Sequence, residues 1–119
     1  MKLTTPLLIM LSLPGPAIGG EVEIVDAKAQ STAPGVYRLD VTLRHADTGW
    51  EHYADGWQVL AQNGDILGER ILHHPHVEEQ PFTRSLSGVQ VPSSAEYVLI
   101  RAHDKVHGHG VQLFRVELH

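Results

Sequence analysis

Cysteine is absent from this 119-residue chain, and that absence excludes disulfides, thiolate ligands, thiol nucleophiles and redox dithiols together. Positive charge is scarce: 9 Lys and Arg stand against 14 Asp and Glu, a net −5 with histidine neutral. A nucleic-acid binder would present the opposite sign over a contiguous face. Apolar runs long enough to span a bilayer, about 20 residues, are missing too. Methionine occurs only as Met1 and Met10.

The N-terminus carries one positive charge, Lys2, then a short apolar run to Leu13, the helix-breaking Pro14-Gly15-Pro16, and Ala17-Ile18-Gly19. Small residues at −3 and −1 suit signal peptidase, so residues 1–19 are expected to be a cleaved signal peptide and residues 20–119 a single β-sandwich domain. A transmembrane anchor is not expected, and no cysteine follows the run to carry a lipid. The expected destination is the periplasm or the medium. Cleavage would remove both methionines and Lys2, leaving a sulfur-free domain with 8 Lys and Arg against 14 Asp and Glu, hence −6.

No stretch repeats apolar residues at helical spacing. Short runs rich in Val, Ile, Leu, Tyr and Phe recur instead between Gly, Pro, Asn and Asp, roughly every 8 to 15 residues, as in a sandwich. Seven strands are expected: Glu21 to Ala27, Val36 to His45, a third around Trp57 to Ala61, Ile66 to His74, Phe82 to Val89, Tyr97 to His103 and Val111 to Leu118. Val36 to His45 alternates cleanly, with Tyr37, Leu39, Val41 and Leu43 on one face. Pro34-Gly35 and Asn63-Gly64 mark turns, and Trp57 is a core candidate.

Leu86-Ser87-Gly88-Val89-Gln90-Val91-Pro92, then Val98-Leu99-Ile100-Arg101-Ala102 and a loop with Gly108 and Gly110, resemble the end of a fibronectin type III domain. That likeness implies an all-β, seven-stranded antiparallel Ig-like sandwich, with the third, fourth and sixth strands in one sheet and the third central. The string His73-His74-Pro75-His76, followed by Glu79-Gln80-Pro81-Phe82-Thr83-Arg84-Ser85-Leu86, resembles one in small uncharacterised exported bacterial proteins. It implies export and no particular activity.

What is abundant is histidine, with nine residues, at 45 and 52, at 73, 74 and 76, at 103, 107 and 109, and at 119. Neutral imidazole is the commonest metal ligand. Histidines at i and i+2 of extended chain project to one side, so His74 with His76, and His107 with His109, are possible two-ligand clips. The fibronectin-like order brings the ends of the fourth and sixth strands and the start of the third to one pole. His52, His74, His76, His103, His107 and His109 are therefore the metal-site candidates, with Asp55, Glu78, Glu79 and Asp104 as carboxylates able to complete or orient the shell.

Without sulfur, Cu(I), blue-copper and iron–sulfur sites are excluded, whereas imidazole with carboxylate suits Zn(II), Cu(II) or Ni(II). A serine nucleophile elbow is absent from the sequence. The expected function is a carrier, buffer or sensor of a divalent transition metal. The alternatives are a module binding an exported protein or a glycan, with Trp50 and Tyr53 as contacts, and a metal-dependent enzyme.

Overall fold

A computed structural model describes residues 21–118. The segment 1–19 expected to be a signal peptide, and His119, lie outside them. Among the described residues there is no helix, hence none long and apolar enough to cross a membrane.

The described residues form eight strands: β1 (Glu23–Ala33), β2 (Val36–Arg44), β3 (Ala54–Leu60), β4 (Ile66–Ile71), β5 (Phe82–Gln90), β6 (Tyr97–Asp104), β7 (Gly108–His109) and β8 (Phe114–Glu117). All pairings are antiparallel. One sheet has the order β1-β2-β5; the other has β4-β3-β6-β7, with β8 also paired to β6. The third strand thus lies between the fourth and the sixth, as expected.

The count of seven is corrected to eight because Gly108–His109 folds back on β6 as a two-residue strand, where a loop was expected. Other boundaries shift as well. β1 runs on to Ala33 because its polar far half pairs with the start of β2 while remaining largely exposed. β4 stops at Ile71, short of His74, because the next residue turns inward: Leu72 is buried, and its amide donates to the Asp55 carbonyl at 3.0 Å.

Alternation decides which side chains meet between the sheets. Leu39, Val41 and Leu43 of β2 face Val98, Ile100 and Ala102 of β6 across a core that also holds Trp57 and Val59, all of them at most 2% exposed. Both stripes continue beyond their last apolar member. Two residues after Leu43 comes His45, two after Ala102 comes Asp104, and both are buried. The core therefore closes at one end on a polar pair contributed by the two sheets.

The β3–β4 hairpin turns at Gly64, whose φ is +96°. Gly64→Ala places a Cβ in a left-handed conformation and should cost about 1 kcal/mol, read as a fall of roughly 4–8 °C in thermal midpoint. An unchanged midpoint would show that the turn relaxes freely.

Candidate metal centre

Asp104 organises the polar end of the core, and its side chain is 1% exposed. Its Oδ1 accepts the amide N–H groups of Val106 at 2.6 Å and His107 at 2.9 Å, which fold the loop after β6 back over the carboxylate. Its Oδ2 faces three ring nitrogens: His45 Nε2 at 2.6 Å, His52 Nε2 at 2.9 Å and His107 Nδ1 at 3.2 Å. His45, His52 and Asp104 each offer a ligand atom, all within 4.8 Å of one another. The His45 and His52 ring centroids are 4.9 Å apart, and those of His52 and His107 are 5.0 Å apart.

The loop from β2 to β3 brings the first two imidazoles together. The Thr48 amide donates to the His52 carbonyl and the His52 amide to the Gly49 carbonyl, so the chain reverses between His45 and β3. Asp47 lies behind His45. Its Oδ1 contacts His45 Nδ1 and accepts the Ala54 amide at 3.1 Å, while its Oδ2 accepts the His76 amide at 2.7 Å. A carboxylate behind an imidazole fixes the ring and its tautomer and leaves the other nitrogen for a metal.

Donor counting shows what this cluster can do. A carboxylate has about four lone-pair sites, and two amide N–H groups and three ring nitrogens converge on that of Asp104. With His45 Nδ1–H given to Asp47, a neutral His45 would aim a lone pair at Asp104 Oδ2 across 2.6 Å. Only a proton or a cation between them relieves that repulsion. Burial alone would push the Asp104 carboxyl up, but the His107 amide and ring, the Val106 amide and His52 together hold it well below the usual carboxylate range. The group therefore offers a standing negative charge among imidazoles.

The six histidines expected to converge fall into three pairs. His52 and His107 meet at Asp104. His103 and His109 lie opposite each other across β6 and β7, with ring centroids 4.8 Å apart. His74 and His76 lie in the loop after β4 with centroids 5.9 Å apart; His74 is exposed, while His76 is buried and stacked 4.0 Å from Phe82. The clip expected of His107 with His109 does not form, because Gly108 between them has φ +78° and breaks the extended alternation. Partial desolvation in the pocket lowers the His109 pKa, helped by Arg101 and His103 and opposed by Glu69 and Asp55.

His45 and Asp47 were not among the candidates, and Asp104 entered only as a supporting carboxylate. The period-2 stripes Leu39-Val41-Leu43-His45 and Val98-Ile100-Ala102-Asp104 carried the signal for His45 and Asp104.

An all-β fold of two antiparallel sheets, with a buried His/Asp cluster that could hold a metal, describes the class of protein to which the chain belongs. In sequence the chain is similar to a protein of Halomicrobium mukohataei that bears the name "Putative lipoprotein", with 42% identity over 97 residues, 82% of this chain and 47% of that protein. The chain spans about half the length of that relative. No family model matches the chain. No solved structure matches it.

Proposed function

We propose that this is an exported domain that binds a divalent transition metal, Zn(II) or Cu(II), as a carrier, buffer or sensor. The observation that carries this reading is the gathering of three imidazole nitrogens within 3.2 Å of one buried carboxylate oxygen, with His45, His52 and Asp104 offering ligand atoms within 4.8 Å of one another. A dication held by His45, His52 and Asp104 would take two imidazole lone pairs and a carboxylate oxygen together. His45, His52, His107 and Asp104 supply a nitrogen-rich set with one hard oxygen, which suits Zn(II) and Cu(II). Asp47 positions His45. With His52 24% and His107 35% exposed in their side chains, the site opens to solvent on their side, as reversible loading requires.

Export agrees with the name borne by the Halomicrobium mukohataei relative and with the N-terminal segment, whose expected role is a signal peptide. The order β1-β2-β5 opposite β4-β3-β6-β8 supports an Ig-like, fibronectin type III-like description of the sandwich.

Titration of the protein with Zn(II) and Cu(II) is expected to give a Kd below about 10 μM, roughly 7 kcal/mol. His52→Ala should weaken it at least tenfold. Loss in the double variant His74→Ala, His76→Ala with no loss in His52→Ala would place the ion at the His74/His76 clip instead.

A further inference from the structure

His103 and Asp104 are consecutive on β6 and point to opposite faces of its sheet. Asp104 closes the core. His103 faces outward into an open pocket of about 230 Å³ that it shares with Asp55, Glu69 and His109. The pocket is built by backbone irregularity. A bulge in β3 between Ala54 and Gly56 inserts Asp55 beside the β6 ladder, and Asp55 Oδ1 lies 2.5 Å from His103 Nδ1. A carboxylate on Nδ1 leaves Nε2 of His103 as the free lone pair. His109, the registered partner of His103 on β7, brings a second imidazole whose ring stands at 75° to the first.

We propose that His103, oriented by Asp55, and His109, with Glu69 lining the same pocket, form a second, solvent-open site for a Zn(II)- or Cu(II)-class ion, so that one domain holds two ions on opposite faces of β6. A tetrahedral ion 2.0–2.1 Å from each nitrogen needs them about 3.3 Å apart, and the two rings have centroids 4.8 Å apart. The charge balance suits a dication. Asp55 and Glu69 outweigh Arg101, the cation beside the pocket, whose guanidinium donates to Gln58 Oε1 at 3.1 and 2.5 Å. His103 and Asp55 side chains are 36% and 27% exposed, against 1% for Asp104. The outer site should therefore bind more weakly and exchange faster than the inner one. It stands whether or not the Asp104 site fills.

Calorimetric titration of the full chain with Zn(II) at neutral pH, alongside His109→Ala and His52→Ala, tests this. Because His109 is exposed, its substitution should leave the fold intact, which circular dichroism checks. The expected result is two ions per chain, one of them lost in His109→Ala while the tighter site keeps its affinity within threefold. A single ion lost in His109→Ala but kept in His52→Ala would support the outer site and sink the Asp104 reading. A single ion lost only in His52→Ala, a two-ion stoichiometry unchanged in His109→Ala, or no binding would overturn the outer site.

Discussion

Asp104→Asn is expected to destabilise the metal-free protein by about 3–5 kcal/mol, a cost typical of removing one member of a buried charge network. The substitution keeps the shape and removes the charge. Asp104 Oδ1 accepts two loop amides, and Oδ2 receives His45, His52 and His107. An amide group turns one of those oxygens into a donor facing donors, so N–H groups aimed at this buried carboxylate lose their acceptor. Domains of this size have about 5–15 kcal/mol in total. At roughly 4–8 °C per kcal/mol, the thermal midpoint should fall by at least about 12 °C. Asp55→Asn, on a half-buried carboxylate, is the matched control and should move it by less than about 8 °C. A fall below about 4 °C for Asp104→Asn would mean that the cluster contributes little to folding.

The sign of the acid dependence follows from the same group. Its carboxyl is held below the usual range in the folded chain, so its contribution is complete above the ordinary aspartate value of about 3.9 and is lost as pH falls through the folded value. The stability gap between the parent and Asp104→Asn should accordingly narrow as pH falls below about 4.

The parts of the fold legible in sequence are those where burial and period 2 coincide. Tyr37 to Leu43 and Val98 to Ala102 alternate without interruption, and the order β4-β3-β6 followed from strand spacing and the fibronectin-like pattern. β7 was not legible because two residues beside glycine carry no pattern. The far half of β1 was missed because Lys28 to Ala33 lie at a sheet edge and bury little. The histidines were visible as a group, but their partition was not. Grouping them by closeness in sequence paired His107 with His109, whereas a single positive φ at Gly108 sends one towards Asp104 and the other towards His103. His45 ends the expected second strand, beside the following loop, and its inward face there was not counted. Extending that strand's inward alternation by one step places it in the core.

Zn(II) affinity at the Asp104 site should fall at least about a thousandfold between pH 7.0 and 5.0. Each imidazole that joins a metal must give up its proton, and imidazole titrates ordinarily near 6.5. Below that value every coordinating ring costs about a factor of ten per pH unit, so two rings over 1.5 units give three decades and a third ring adds to them. Asp104 contributes nothing to this slope, because its carboxyl is held below the usual range and remains ionised throughout the interval. The slope of log affinity against pH thus counts the coordinating imidazoles directly. A slope of three is the expectation for His45, His52 and His107 as ligands and a slope of two for two of them, and His52→Ala should lower it by one. An affinity that changes by less than tenfold between pH 7.0 and 5.0 would show that the ion is held by carboxylates alone, leaving the three rings as hydrogen-bond partners of Asp104.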